Sequence, residues 1–457
     1  MLPIVALIGR PNVGKSTLFN RLTGTRDAIV ADVPGVTRDR QYGYGTLGPV
    51  PCVVIDTGGV VENATGIDVQ MRIQAERAIA EADRLVFLLD ARSGLTNQDR
   101  FVAETLRRSG KPLLLAINKA EGLDAPVALT DFHSLGLGEP IAISASRGDN
   151  TLKLMERVLE GFEATDMSAP DERNSIRIAI IGRPNVGKST LVNRLIGEER
   201  VIASDVPGTT RDSILVPFAR DGREFLLIDT AGVRRKSKID DAIESESVGK
   251  TLQAIGEAHV VVFVADAHDT IGEQDASVLG IALARGRALL IAVNKWDGIA
   301  PEQRDTIRRQ LDLKLDFVPF APVHMISARH GTGVGELIAA AIRAYDAAMR
   351  EIPTPALTRA MERAMEAHQP PLSGGRRIKL RYAHQGGRNP PRIIIHGSQA
   401  SRVPAAYTRY LANFFRREFD LFASPVSVEF RSDANPFDRR TRPTPRGKRG
   451  ERRPDRS

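Results

Sequence analysis

An unchanged internal repeat places the strongest limit on how this chain can fold. The nine residues GRPNVGKST occur at 9–17 and again at 182–190. In each place an apolar stretch precedes the segment and a helical pattern follows it, an arrangement typical of a P-loop. In a P-loop, glycines allow backbone N–H groups to surround phosphates. The sequence therefore predicts two phosphate-binding loops in one chain.

Further motifs repeat in the same register, 173 residues apart. PGVTRD at 34–39 corresponds to PGTTRD at 207–212, and DTGG at 56–59 corresponds to DTAG at 229–232. The separation widens to 176 residues between Asn118 and Asn294 and to 183 between Ser144 and Ser327, which places insertions in the later loops of the second copy. A period this long indicates two duplicated domains and excludes a solenoid of short repeats.

Apolar runs alternate with helical patterns inside each copy. In the first copy these runs lie at 52–55, 85–89, 113–117 and 141–143. They are continuously apolar, as expected of strands buried on both faces of a parallel sheet. We predict two doubly wound α/β domains, with the motifs at the carboxyl ends of the strands where such sheets bind ligands.

Composition changes mark the domain boundaries. The predicted segments are a first P-loop domain (1–164), a linker (165–175), a second P-loop domain (176–350), a small α/β domain (351–436) and a basic disordered tail (437–457). In the small domain we predict a helix to about His368, strands at 376–382 and 392–396, a helix at 405–419 and a strand at 426–430. Nine of the lysines and arginines lie between Arg439 and Arg456, so the net charge of +8 belongs mainly to the tail.

Two observations concern the cellular compartment. Cys52 is the single cysteine, which excludes an intrachain disulfide and fits a reducing compartment; a buried position on a strand is its expected role. No apolar run approaches the roughly 18 to 20 residues needed to span a bilayer. These features predict a cytoplasmic protein.

The P-loop residues predict specific contacts with a nucleotide. Lys15 and Lys188 are expected at the β- and γ-phosphates, and Ser16 and Ser189 are expected to bind Mg²⁺. Asp-x-x-Gly, which begins at Asp56 in the first copy, follows a buried strand and can hold Mg²⁺ through its carboxylate. A glycine-rich turn after a strand is common in any one domain, but two such turns in the register of the repeat indicate a shared function.

A guanine-reading motif distinguishes GTP from ATP. Asn294-Lys295-Trp296-Asp297 follows an apolar strand, and its carboxylate can accept hydrogen bonds from the guanine ring N–H and amino group, which adenine cannot satisfy. The first copy has Glu121 where the second has Asp297. Because glutamate is longer by one methylene, we predict weaker or less selective GTP binding in the first domain.

Five G motifs present twice, followed by a small α/β domain, resemble the EngA (Der) family of tandem-domain GTPases over nearly the whole chain. The resemblance implies a GTPase acting in assembly of the large (50S) ribosomal subunit, with a C-terminal KH-like domain, partners among rRNA and the ribosome, Mg²⁺ as cofactor and a monomeric state. Its implied GTP contacts are Gly9, Asn12, Gly14, Lys15, Ser16, Thr17, Asp56, Gly59, Asn118, Lys119, Glu121, Ser144 and Ala145 in the first domain. In the second they are Gly182, Asn185, Gly187, Lys188, Ser189, Thr190, Asp229, Gly232, Asn294, Lys295, Asp297, Ser327 and Ala328.

The catalytic residues expected are Asn12, Lys15 and Thr37, with Asn185, Lys188 and Thr210 as their counterparts. Thr37 and Thr210 are candidates for the switch threonine that reaches Mg²⁺ beside Ser16, Asp56, Ser189 and Asp229. The position after Asp-x-x-Gly is valine, so no glutamine stands there to orient water. Asn12 and Asn185 are candidates to bind K⁺, which could offset transition-state charge; the alternative is that each asparagine only stabilises its loop.

Several alternatives stay open at this point. The basic segment VRRKSK at 233–238 is either a solvated loop or a contact for RNA or the third domain in one nucleotide state. The third domain lacks the G-x-x-G loop of a KH domain, which argues against sequence-specific RNA reading there. Its helical aromatic residues are expected in the core: Tyr407, Tyr410, Phe414, Phe415 and Phe419.

Function also has alternatives. The arginine-rich tail suits phosphate binding, and a membrane-surface role is its alternative. A scaffold in which one domain holds nucleotide and the other hydrolyses it is a rival to the two-switch hypothesis. An RNA-modifying GTPase is a third possibility, for which the end of the chain shows no cysteine or cofactor motif.

Overall fold

The computed structural model describes residues 2–24, 40–57, 75–123, 129–163, 175–197, 216–220, 222–228, 248–269, 271–372 and 378–432. Within these ranges, none of the helices has both the length and the apolar character needed to cross a membrane.

The first P-loop follows a central strand of a six-stranded sheet. Its strands are β1 (Ile4–Ile8), β2 (Arg40–Gly45), β3 (Cys52–Thr57), β4 (Arg84–Asp90), β5 (Leu113–Asn118) and β6 (Ile141–Ala142). Their order across the sheet is β2-β3-β1-β4-β5-β6. The flanking helices are α1 (Lys15–Thr23), α2 (Asn97–Arg108) and α3 (Thr151–Val158), with residues 75–81 also helical. Every residue of β1 and β3 is buried, as their continuous apolar sequence predicts.

The second sheet repeats this topology. Its strands are β7 (Ile176–Ile181), β8 (Val216–Arg220), β9 (Arg223–Ile228), β10 (Val260–Asp266), β11 (Ala288–Asn294) and β12 (Val323–Met325). They run in the order β12-β11-β10-β7-β9-β8, which matches the first sheet strand for strand. The helices are α4 (Lys188–Gly197), α5 (Val248–Glu257), α6 (Glu273–Ala284), α7 (Pro301–Lys314) and α8 (Val334–Ala348). The repeated motifs therefore belong to two copies of one fold.

One strand in each sheet was not among those predicted. β2 and β8 are edge strands that pair antiparallel with β3 and β9, whereas the other neighbouring strands pair in parallel. Only residues 46–51 connect β2 to β3. Since a parallel connection needs about a dozen or more residues, this short turn requires an antiparallel pair.

The C-terminal sheet has three strands covered on one face by two helices. Its elements are α9 (Thr354–Ala367), β13 (Lys379–Gly387), β14 (Arg392–Ser398), α10 (Ala405–Glu418) and β15 (Ser427–Ser432). β14 is central, antiparallel to β13 and parallel to β15. The strand expected at 376–382 begins later and extends to Gly387, because its pairing with β14 continues through bulges into the glycines. Short 3₁₀ helices occupy Thr130–Leu135, Trp296–Gly298 and Ala400–Arg402.

The aromatic residues of α10 lie where the sequence predicts. Tyr407 and Phe415 are buried, and Tyr410, Phe414 and Phe419 pack partly buried against the same core. Cys52 is likewise buried on β3 and unpaired. Helical spacing of aromatic residues here reflects packing against the sheet rather than a surface for bases.

Helix α5 joins the first two domains. The Tyr44 hydroxyl donates to the Leu252 carbonyl oxygen at 2.8 Å, and the Gln253 side-chain amide donates to the Leu2 carbonyl at 2.8 Å. The backbone N–H of Leu2 donates to the Glu257 carboxylate at 2.5 Å. Buried apolar side chains from both sheets form one continuous cluster across this contact.

The third domain docks on the second through backbone hydrogen bonds. The N–H of Leu289 on β11 donates to the Ala423 carbonyl at 2.8 Å, and the N–H of Asn389 donates to Ala348 at the end of α8 at 3.1 Å. An ion pair between Arg343 and Asp420 adds a surface contact. The second domain is thus the central one, in contact with both others.

Candidate nucleotide-binding sites

The first P-loop connects the end of β1 to the start of α1. Asn12 and Gly14 both adopt left-handed backbone angles, with φ of 65° and 100°. A Cβ atom on Gly14 would lie 2.3 Å from the Asn118 amide nitrogen, so only glycine fits at this position. The first turn of α1 has no acidic residue and no side-chain cap, which leaves a helix N-terminus suited to an anion.

Asn118 holds two loops of the site together. Its amide nitrogen donates to the Val13 carbonyl in the P-loop at 2.8 Å, and its amide oxygen accepts from the Ala145 N–H at 2.9 Å. The residue is buried. The P-loop and the loop that follows β6 are therefore fixed to the same side chain.

Lys119 is held in place by an acidic residue at the end of β4. Its ammonium contacts the Asp90 carboxylate at 2.7 Å and donates to the Asn12 carbonyl at 2.9 Å. Burial alone would raise the pKa of Asp90, but hydrogen bonds from Lys119 and the Arg92 backbone outweigh it, so the pKa lies below its usual value. Asp90 is therefore an ionised partner that orients Lys119.

Lys15, Ser16 and Asp56 form the charged centre of the site. The Lys15 ammonium donates to the carbonyls of Gly9 and Arg10, at 3.1 and 2.9 Å, and burial lowers its pKa to about 8. Burial also raises the pKa of Asp56, while the Ser16 hydroxyl and the Lys15 charge oppose the rise. A buried lysine at a helix N-terminus is placed to meet the charge of a phosphate.

The same centre fits a magnesium ion. The Oδ1 atom of Asp56 is enclosed and has no hydrogen-bond partner among the described residues, while the Ser16 hydroxyl lies beside the carboxylate. Buried polar atoms are ordinarily paired, and a carboxylate with a neighbouring hydroxyl is the oxygen donor set that Mg²⁺ takes in nucleotide sites. Ser16 and Asp56 are the residues that would hold it.

Glu121 and Asp297 occupy corresponding places. The pKa of Glu121 is lowered by hydrogen bonds from its own backbone N–H and from the Ser144 hydroxyl. The pKa of Asp297 is lowered chiefly by the Ser327 hydroxyl, with its own backbone N–H and His330 contributing. Glu121 also pairs with Arg92 at 3.1 Å, whereas Asp297 lies 3.4 Å from the His330 ring. In both domains the serine of the following loop helps to keep the carboxyl group ionised by lowering its pKa.

The second site repeats the main hydrogen bonds of the first. Lys188 donates to the carbonyls of Gly182 and Arg183 at 2.7 and 2.8 Å. Asn294 donates to Val186 at 2.8 Å and accepts from Ala328 at 2.9 Å. The two loops thus have one hydrogen-bond design.

Further correspondences complete the second site. Lys295 contacts the Asp266 carboxylate at 2.5 Å, as Lys119 contacts Asp90. Asn185 and Gly187 have φ of 64° and 100°. Ser189 and Thr190 lie in the first turn of α4, as Ser16 and Thr17 lie in the first turn of α1.

Some predicted site residues lie outside the described residues: Gly59, Thr37, Thr210, Asp229 and Gly232. The valines after Asp-x-x-Gly, the basic segment 233–238, most of the predicted linker and the tail also lie there. The other predicted residues converge on the two P-loops, at the carboxyl ends of the strands.

The sequence prediction missed two aspartates in each domain. Arg10 and Arg183, the second residues of the two P-loops, pair with Asp99 and Asp275 at 3.3 and 3.2 Å. Asp90 and Asp266 were missed in the same way. Asp90 and Asp266 are 176 residues apart, and so are Asp99 and Asp275. The same separation relates Asn118 to Asn294, so extending that register would have identified these aspartates.

Comparisons with known proteins agree with this geometry. A family model described as "50S ribosome-binding GTPase" matches residues 4–119 and 177–295. A second, described as "KH-domain-like of EngA bacterial GTPase enzymes, C-terminal", matches residues 351–431. The chain is 56% identical over 439 residues to the GTPase Der of Thioalkalivibrio sulfidiphilus, covering 96% of this chain and 95% of that protein.

Two further comparisons were found. The GTPase Der of Halorhodospira halophila is 55% identical over 439 residues, covering 96% of this chain and 93% of that protein. A crystal structure of Era in complex with MgGDPNP and nucleotides 1506–1542 of 16S ribosomal RNA is 20% identical, with a TM-score of 0.32, and covers 71% of this chain and 92% of that chain.

The fold and the two sites define a GTPase with two tandem P-loop domains and a C-terminal KH-like domain. The sequence identity to these relatives extends over nearly the whole chain, and this shows the family. The chain belongs to the GTPase Der (EngA) family, and it hydrolyses GTP.

Proposed function

We propose that this protein is a GTP-driven switch in assembly of the large ribosomal subunit, with rRNA as its partner and the cytoplasm as its compartment. The description of the matching family, a GTPase that binds the 50S subunit, supports this proposal. The KH-like match at 351–431 adds a domain class that is associated with RNA. The protein acts as a monomer in this proposal.

The observation that carries the switch is the position of α5. This helix is the first described element after the Asp-x-x-Gly motif of the second domain, and it contacts Leu2 and Tyr44 of the first domain. In GTPases the segment after this motif rearranges between the GTP and GDP states. A change there would be transmitted directly to the contact between the two domains.

Mg²⁺ supplies charge neutralisation at the β- and γ-phosphates when it is bound. Ser16 and Asp56 would hold it in the first site, and Ser189 and Asp229 in the second, with Thr37 and Thr210 joining when the γ-phosphate is present. Lys15 and Lys188 bring a cation to the phosphates. Asn118, Lys119 and the carboxylate of Glu121 orient the base, as do Asn294, Lys295 and Asp297 in the second site.

A potassium ion is proposed to assist hydrolysis, since valine follows Asp-x-x-Gly in both copies and cannot orient water. Asn12 and Asn185 would hold it beside the phosphates. Faster turnover in KCl than in NaCl at equal ionic strength is expected. Equal turnover in the two salts excludes this part of the proposal.

Nucleotide-dependent sedimentation tests the main proposal. The protein is expected to sediment with 50S subunits in a non-hydrolysable GTP analogue and to do so less in GDP. The double variant Lys15→Ala/Lys188→Ala is the control and should show no difference between the two nucleotides. Sedimentation that ignores the nucleotide would contradict the switch.

A further inference from the structure

The C-terminal sheet has a face that its helices do not cover. Helices α9 and α10 pack on one side, around a core that includes Ala383, Ile393 and Ile395. The alternate positions of the strands point to the opposite side. That side carries three aromatic rings, Tyr382, His384 and His396, which we call the ring platform.

The rings of the platform are stacked on one another. Tyr382 and His396 lie with ring centres 4.5 Å apart and planes 5° from parallel. His384 adds a third ring, 5.2 Å from His396 and 6.2 Å from Tyr382. The Tyr382 side chain is 42% exposed although His396 stacks on its ring. His396 therefore covers one face of the Tyr382 ring, while part of the Tyr382 side chain stays accessible beside the stack.

Strand register extends the platform across the whole sheet. Tyr382 on β13 is opposite His396 on β14, and His396 is opposite Arg431 on β15. Residues opposite each other in register share a face of the sheet. One row thus runs from an aromatic ring, through a second, to a guanidinium group.

Charge around the platform is positive. Lys379, Arg381 and Arg431 are exposed. Glu429 is the one acidic residue in the three strands, and it lies 3.6 Å from Arg392. Burial, His396 and Arg431 together lower the pKa of His384, so its ring is uncharged near neutral pH and suited to stacking.

Simple packing does not account for the arrangement. The Nε2 atom of His396 is enclosed and has no hydrogen-bond partner among the described residues. Buried polar atoms are ordinarily paired, so an apolar ring would serve a purely structural role better. Imidazole and phenol rings beside exposed cations are instead the groups that bind unpaired bases and phosphates.

We propose that the ring platform binds single-stranded RNA, with bases stacked on Tyr382 and His384 and phosphates held by Lys379, Arg381 and Arg431. This inference rests on the proposed function and specifies the form of RNA recognised. It also supplies a mode of binding that does not need the missing G-x-x-G loop.

Fluorescence anisotropy with the full chain and a labelled ten-nucleotide oligouridylate tests the proposal. Tyr382→Ala is expected to weaken binding at least about fivefold, because one stacked base is lost. Tyr382→Phe keeps the ring and should bind like the parent. Phe317→Ala, which removes a 39% exposed aromatic side chain of the second domain, is the matched control and should have no effect. GTP turnover should be unchanged in all three variants.

Salt dependence separates stacking from charge. Arg431→Gln should reduce the slope of log affinity against log salt by about 1, whereas Tyr382→Ala should leave the slope as in the parent. Equal binding by Tyr382→Ala and the parent overturns the proposal, as does failure of the parent to bind the oligonucleotide. Polyglutamate is the test for an acidic protein partner. If it binds as strongly as the oligouridylate and Tyr382→Ala weakens that binding, the face is assigned to an acidic protein and the RNA proposal is overturned.

Failure here is distinguishable from failure of the proposed function. If sedimentation with 50S subunits depends on the nucleotide while Tyr382→Ala binds the oligonucleotide normally, the switch stands and the platform does not bind RNA. If the oligonucleotide result is as expected but sedimentation ignores the nucleotide, the platform stands and the switch does not.

Discussion

The guanidinium carbon of Arg285 lies 3.4 Å from the centre of the Tyr44 ring, which places a cation of the second domain directly over an aromatic side chain of the first. The Tyr44 hydroxyl also donates to Leu252 in α5, and burial raises its pKa. Tyr44 lies on β2, the antiparallel edge strand. This strand is thus one of the parts of the first domain that contact the second domain.

A second arginine extends the connection to the third domain. Arg287 donates to the Gly256 carbonyl at the end of α5 at 2.6 Å and to the Asn389 carbonyl of the third domain at 3.2 Å. Burial lowers its pKa to about 10. Two arginines separated by one residue therefore connect the second domain to both other domains.

Removing the Arg285 side chain should loosen the contact between the first two domains. We expect Arg285→Ala to cost about 1 to 2 kcal/mol at this contact, since a desolvated cation over a ring contributes about that much. Hydrogen exchange of the amides in α5 should speed up several-fold. Arg304→Ala, whose guanidinium is 5.8 Å from Trp296, is the control and should leave α5 unchanged. Unaltered exchange in Arg285→Ala would show that the contact does not hold the domains together.

Lowering the pH should strengthen the contact between the first two domains, because Glu257 lies there. Burial raises the pKa of this carboxyl, although the Leu2 N–H, the N-terminus and Arg177 oppose the rise. Because the pKa is higher in the folded state, the group contributes stability when protonated, and this contribution is lost as pH rises through the folded-state pKa. Glu257→Gln should therefore raise the thermal midpoint at pH 8 and change it little at pH 4. A lower midpoint at pH 8 would contradict this reading of the interface.

Much of this architecture was predictable because the chain contains it twice. The unchanged P-loop predicts two similar domains, and the continuous apolar runs predict the buried strands β3, β4, β5 and β11, all of which are confirmed. The antiparallel strands were missed because RQYGYG on β2 is neither continuously apolar nor strictly alternating.

The domain contacts could not be predicted from local patterns. Tyr44 and Arg285 are far apart in sequence, and neither belongs to a motif. Asp90 and Asp99 were accessible in principle from the repeat, but each single aspartate has the appearance of an ordinary helix cap or surface residue. The ring platform depends on strand register, which places Tyr382, His396 and Arg431 in one row only after β13, β14 and β15 pair.

Replacing Asn118 should lower the nucleotide affinity of the first domain and leave that of the second unchanged. Asn118→Ala removes hydrogen bonds to both Val13 and Ala145, which leaves two buried backbone groups without a partner. The expected loss is about 1 to 3 kcal/mol, or roughly 5-fold to 150-fold in affinity for a fluorescent GDP. The measurement is made in a Lys188→Ala background, so that only the first site is observed. Asn294→Ala in the Lys15→Ala background is the counterpart and should weaken the second site by a similar factor. Unchanged affinity in both variants would contradict the role.

Glu121 should make the first site less selective for guanine. Glu121→Asp, measured with the second site disabled by Lys188→Ala, is expected to raise the preference for GTP over ATP. The reverse exchange, Asp297→Glu with Lys15→Ala, should lower that preference in the second site. Aspartate and glutamate carry the same charge, so the exchange tests side-chain length rather than charge. Equal selectivity before and after both exchanges would show that the extra methylene is accommodated.

The number of guanine nucleotides bound per chain tests the central claim most directly. Equilibrium dialysis with labelled GDP and Mg²⁺ should give two per chain for the parent protein and one for either Lys15→Ala or Lys188→Ala. ATP should not compete for the second site. A parent protein that binds one nucleotide or none in the presence of Mg²⁺ would contradict the account of two working P-loop sites.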